Sequence, residues 1–123
     1  MKSDSHKGRQ GLRRVLAALG YSLEGLGAAW RNEAAFRQEA ILAAVLVPAA
    51  FFMPVSGIGK ALLVGAVMLV LVVELLNSAL EAAVDRVSLE NHPLAKRAKD
   101  IGSAAVFLSL VSVPVVWGLV LLD

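Results

Sequence analysis

Between residues 74 and 85 the chain reads ELLNSALEAAVD, and Glu74, Asn77, Ser78, Glu81 and Asp85 recur there at steps of three and four. A helix gathers residues spaced in this way into one stripe. At 3.6 residues per turn, Glu74 and Glu81 are separated by about 20° around the axis and about 10 Å along it. Their surroundings in sequence are apolar, and a carboxylate on an apolar helix is costly unless it holds a cation or moves a proton. The stripe therefore reads as an active site.

The elements that must carry it follow from composition and pattern. Of 123 residues 58% are hydrophobic and none is cysteine. Such a chain is too apolar for an ordinary soluble domain of its length, so an all-α membrane protein is expected, as one domain over 1–123. The lack of cysteine excludes a disulfide framework and a thiolate metal site. MKSDSHKGRQG at the start is polar and basic with no apolar run behind it, and no cleaved signal peptide is expected.

Over 9–32, Leu12, Val15, Leu16, Leu19, Leu23, Leu26 and Trp30 fall at intervals of three and four, with Arg13 and Arg14 off that line. The pattern predicts an amphipathic helix on a membrane surface, its basic side chains turned to anionic head groups. A helix packed on a protein core would share it. Gly20, Gly25 and Gly27 weaken the segment and suggest two short pieces. Three spans follow, at 34–53, 58–84 and 101–122, each long enough for ~30 Å of hydrocarbon. Arg37, Gln38 and Glu39 are expected at the interface, Pro54, Ser56 and Gly57 form a turn, and Pro114 is a candidate kink.

Basic residues set the orientation. Lys2, Lys7, Arg9, Arg13, Arg14, Arg31 and Arg37 precede or begin the first span, and Arg86, Lys96, Arg97 and Lys99 lie in the 85–100 loop, against Lys60 alone on the other side. Eleven to one puts the N-terminus and that loop in the cytoplasm and the C-terminus outside. Glu74 then falls in the cytoplasmic half of the bilayer, within reach of lipid head groups and cytosolic solutes.

Glu33, Glu74 and Glu81, together with Lys96, Arg97 and Lys99, suggest a metal-bound polyphosphate meeting a lipid. Magnesium takes carboxylate oxygens plus substrate phosphates. Phosphoryl transfer needs positive charge on those phosphates and a carboxylate to orient or deprotonate the nucleophile. GYSLEGLG and GIGKA lack the Walker spacing, so the nucleotide site is of another kind.

AAWRNEAAFRQE (28–39), ELLNSALEAAVDR (74–86) and RAKDIGSAAV (97–106) together resemble the small prokaryotic integral-membrane diacylglycerol kinase family. The match runs from Arg14 onward. It implies three spans and a surface helix in a homotrimer with active sites shared between subunits, in the bacterial inner membrane, with the C-terminus periplasmic. It implies ATP- and Mg²⁺-dependent phosphorylation of the primary hydroxyl of diacylglycerol to phosphatidate. By the same resemblance Glu74 matches the proton acceptor, Asn77 supports the site, and Glu33 and Glu81 match the metal-holding carboxylates, which also contact ATP. Arg14, Tyr21, Glu90, Lys99 and Asp100 match nucleotide positions, and Ala18, Trp30, Gln38 and Ser103, with Glu74, match positions near the lipid. Pro93, Lys96 and Pro114 depart from the family pattern.

Alternatives stay open at this point. A sister family of small membrane kinases acts on undecaprenol, and AAWRNEAAFRQE favours diacylglycerol only by resemblance. A small homo-oligomeric transporter would also place Glu74 in a membrane helix, but it leaves Asn77 and Glu81 beside the RAKD cluster unexplained. His92 reads as a solvated loop residue, Asp85 as a brace for its helix end, and Trp117 as part of an aromatic belt.

Overall fold

A computed structural model describes residues 2–87 and 92–123, with side chains from residue 8 onward. Four helices follow in order: α1 (Lys2–Asn32), α2 (Ala34–Phe51), α3 (Gly57–Val87) and α4 (Pro93–Leu121). There is no strand among the described residues.

Local chemistry sets where each helix stops. α2 tightens at its end, where Phe52 and Met53 donate to the Ala49 and Ala50 carbonyls, and Pro54 then removes the donor that another turn would need. Ser56 caps α3, its Oγ accepting from the Gly59 amide at 3.1 Å. His92 caps α4 from an extended backbone, its Nδ1 accepting from the Leu94 amide at 3.1 Å, and Pro93 takes the first helical position. Proline suits that position because its missing donor would have no partner there.

The cap at His92 corrects one expectation. The segment 93–100, expected as loop, is the first two turns of α4, so Lys96, Lys99 and Asp100 sit on helical spacing. Lys96 lies on the turn before Asp100 and pairs with it at 2.6 Å. α1 is likewise one helix through Gly20, Gly25 and Gly27, not two pieces. α2 and α4 continue through Pro48 and Pro114.

The chain divides into two compact units, Met1–Glu33 and Ala34–Asp123. In the second, α3 packs against both α2 and α4. α2 contributes Phe36, Ala43 and Ala50, every seventh residue, and α3 contributes Gly59, Leu63, Ala66, Val67, Val70 and Glu74. The small side chains let helix backbones approach closely, which is how membrane helices gain van der Waals contact without a hydrophobic driving force between them. At Gly59 a Cβ would press on Val55 and on Val120 from the end of α4. Trp117 adds a directional tie, its indole Nε1 donating to the Leu63 carbonyl across the α3–α4 seam at 3.1 Å.

The outside of these helices is as apolar as the inside. Ile41, Leu42, Met68, Leu69, Val72, Phe107, Leu108 and Leu119 are all exposed. α2, α3 and α4 are each long and apolar enough to cross a membrane. Leu63 is fully buried at the centre of this packing. Leu63→Ala should lower stability to unfolding in a denaturing detergent by about 2–5 kcal/mol, and Leu63→Met, which keeps the volume, by less than about 1.5 kcal/mol.

Candidate active site

The buried face of α3 is apolar from Leu63 to Val70 and ends on Glu74, which is 5% exposed. Four residues after Val70 the same face would take another aliphatic side chain, and the chain supplies a carboxylate. One turn further, Asn77 is half-buried and its Nδ2 donates to Glu81 Oε1 at 3.3 Å. The i, i+4 geometry of α3 thus fixes the Glu81 carboxylate from within its own helix.

α4 shapes the same place by what it lacks. A Cβ at Gly102 would collide with Asn77 Oδ1, so glycine is what lets the Asn77 amide lie against the α4 backbone. Asn77 Oδ1 is buried and accepts no hydrogen bond within this chain. An unpaired buried carbonyl oxygen is an uncommon expense in a folded protein.

Above this level two ion pairs cross or line the helix ends. Lys99 Nζ bridges from α4 to Asp85 Oδ1 at 2.5 Å. Asp85 is thus the brace that its position suggested. The Lys96–Asp100 pair is largely exposed and the Lys99–Asp85 pair partly so, and each contributes little to stability. They hold cationic and anionic groups in an ordered row just beyond the apolar part of α3 and α4.

The structure therefore puts Glu74, Asn77 and Glu81 along one helix, joins Asn77 to Glu81, and sets Lys99 at the Asp85 level of that helix, with Asp100 beside Lys99 in sequence and paired to Lys96. Ser103, one residue beyond Gly102, is exposed on α4, and Gln38 is exposed on α2. Arg14, Ala18 and Tyr21 are exposed on α1, where the Ala18 carbonyl accepts from Ser22 Oγ, and Trp30 is half-exposed near the end of that helix. Glu33, partly buried, closes the first unit, its amide donating to the Ala29 carbonyl at 2.9 Å. Glu90 lies outside the described residues.

One acidic residue of this site did not stand out in the sequence. Glu39, expected as an interfacial charge, is partly buried and lies beside Glu74. Its position carried the signal. It lies three residues after Phe36 and four before Ala43, on the packed face of α2.

A multi-pass helical membrane protein with a carboxylate buried where the apolar face of its central helix ends, and with lysines paired to carboxylates at the helix ends beyond it, belongs to the class that works on solutes or lipids at the interface. The family model for prokaryotic diacylglycerol kinase matches residues 20–121, and the chain belongs to that family. It is 55% identical to a diacylglycerol kinase of Pseudomonas aeruginosa over 99% of both chains. It is 49% identical to that of Escherichia coli K12 over 90% of this chain and 91% of the relative. A Helicobacter pylori diacylglycerol kinase is 43% identical over 92% of this chain and 88% of the relative.

Gly102→Ala should push Asn77 away from the α4 backbone. A shift of the Asn77 side-chain amide resonance in ¹⁵N spectra is expected, with a stability loss of about 1–3 kcal/mol from overpacking. An unmoved resonance would show that α4 yields instead.

Proposed function

We propose that this chain transfers the γ-phosphate of ATP to the primary hydroxyl of diacylglycerol, giving phosphatidate and ADP, with Glu74 as general base. The observation that carries the proposal is the placement of Glu74. It is a buried carboxylate at the polar end of the apolar face of α3, in a chain 55% identical to a diacylglycerol kinase along its whole length. A lipid hydroxyl at head-group level needs a base at that depth. Its proton passes to Glu74 as its oxygen bonds the γ-phosphorus, and the bridging oxygen leaves with the bond pair on ADP.

The oxygen donors present suit a hard divalent cation carried by phosphates. Glu81 is partly exposed and held by Asn77 through its Nδ2. Among the described residues no three acidic or imidazole groups gather into a cage. Mg²⁺ is commonly bound through one or two carboxylates plus substrate phosphates. Glu81 and Glu33 would hold it, and it would neutralise the charge that develops on the phosphates during transfer.

Lys99, Asp100, Arg14, Tyr21 and Glu90 then serve the nucleotide. Lys99 is ordered by Asp85, so phosphate binding exchanges or shares that partner. Ala18, Trp30, Gln38 and Ser103 line the lipid side. The family resemblance supports a homotrimer with sites shared between subunits, in the bacterial inner membrane. The distribution of lysine and arginine supports a cytoplasmic N-terminus and a periplasmic C-terminus.

The test is phosphate transfer from labelled ATP by purified protein in mixed micelles, offering diacylglycerol and undecaprenol side by side. Preference for diacylglycerol is expected. Preference for undecaprenol would move the chain's activity to the other lipid alcohol, and no transfer by folded protein would favour a transporter. Glu74→Gln should lower turnover by about 10²–10⁴-fold while the fold is kept; near-normal turnover would remove the base assignment. Glu81→Gln should shift the magnesium titration to higher concentration, and an unchanged titration would remove Glu81 as a ligand.

A further inference from the structure

α4 touches the polar end of α3 at two levels, and Glu81 lies between them in sequence. Lys99 pairs with Asp85, and three residues later Gly102 receives Asn77. Asn77 stands four residues before Glu81 on α3 and donates to its Oε1 through Nδ2 at 3.3 Å. That length is at the long end for an N–H···O bond, so a small displacement of the amide loses it.

The contact with Gly102 decides which way the amide faces. A Cβ at Gly102 would collide with Asn77 Oδ1, stand 3.3 Å from Asn77 Cγ and meet Leu80 Cδ2 at 3.6 Å. Glycine carries a hydrogen where that Cβ would be, so the Asn77 carbonyl oxygen lies against a Cα–H, which is a weak donor. Oδ1 is buried and has no stronger donor within this chain. Turning the amide over would set Oδ1 against the Glu81 carboxylate, two acceptors facing each other. The bare backbone of Gly102 therefore admits Asn77 in the orientation that presents a donor to Glu81.

The second glycine of α4 makes the contrast. A Cβ at Gly118 would meet nothing within 4 Å, so a small residue there makes room for no neighbouring side chain. At Gly102 the missing side chain has an occupant, and that occupant is the hydrogen-bond partner of Glu81.

We propose that Gly102 is a positioning residue for the metal-holding carboxylate: its missing side chain seats Asn77, and Asn77 aims Glu81 toward the divalent cation on the nucleotide phosphates. This rests on Glu81 being a metal ligand. A group that orients a ligand through a hydrogen bond typically accounts for about 10–100-fold in metal affinity or activity. Gly102 touches neither substrate nor metal in this role and acts through Asn77.

The test compares Gly102→Ala, Asn77→Ala, their double variant and Glu81→Gln in mixed micelles, with Gly118→Ala as the control on the same helix. Two quantities are read. One is the magnesium concentration giving half-maximal phosphate transfer to diacylglycerol; the other is the ¹³C resonance of the Glu81 carboxyl in metal-free protein. Gly102→Ala should raise the half-maximal magnesium concentration by about 10-fold or more, with KM for diacylglycerol changed less than about two-fold. It should move the Glu81 resonance in the same direction as Asn77→Ala does, and Gly118→Ala should move neither quantity. On the Asn77→Ala background Gly102→Ala should add nothing, because groups acting as one unit are not additive, whereas a general loosening of the helices would add.

An unmoved Glu81 resonance in Gly102→Ala would overturn the positioning role. So would a wild-type magnesium requirement in Gly102→Ala where Glu81→Gln raises it, or a further shift in the double variant. An unchanged titration in Glu81→Gln would overturn the metal reading itself, and the carboxyl resonance, read without metal, shows separately whether Gly102 aims Glu81. If Gly102→Ala does not fold, the double variant decides, since Asn77 no longer fills the space that the new Cβ needs. It should match Asn77→Ala in both quantities, and any additional shift overturns the proposal.

Discussion

Glu74 is the constraint on which the rest of this chain depends. A carboxylate buried in an apolar helix bundle is expensive in any charge state unless hydrogen bonds replace the water it has lost. A second carboxyl, that of Glu39 on α2, lies beside it. The fold around the pair is otherwise plain: aliphatic and small residues on the faces where α3 meets α2 and α4, and apolar side chains over the outside.

α3 serves two purposes with one repeat. From Gly59 to Val70 its buried face makes packing contacts, and from Glu74 to Asp85 the continuing stripe carries polar groups. No loop separates the two. The helix passes from packing to chemistry by a change of residue type at fixed spacing, which keeps the polar groups rigid because the apolar turns below them are packed. α4 completes the arrangement by withholding a side chain at Gly102, so that Asn77 can settle against it, and by sending Lys99 to Asp85. Small substitutions on α4 therefore reach the acidic stripe of α3 through Asn77.

The polar end of the bundle is ordered before any substrate arrives. Asn77 holds Glu81, Asp85 holds Lys99, and Lys96 holds Asp100. Each pair is weak alone in water. Their value is orientation: a phosphoryl-transfer site gains most from charged groups that need little rearrangement when charge develops.

Much of this was legible in the sequence. The three spans follow from apolar length, and the polar stripe of Glu74, Asn77 and Glu81 follows from their recurrence at helical steps, because helix periodicity is a local property of the chain. The extent of α4 was missed at 93–100, since its polar residues read as loop, and only the His92 cap with Pro93 at the first position makes that segment helical. The unbroken α1 was missed because glycine lowers helix propensity without forbidding a helix. By itself the sequence determined the all-helical membrane class and the acidic stripe on one helix. The tertiary structure alone decided that Glu39 meets Glu74, that Gly102 receives Asn77 and that Asp85 meets Lys99. Which faces of two helices touch depends on packing between segments distant in sequence, and periodicity within one helix carries no information about its partner.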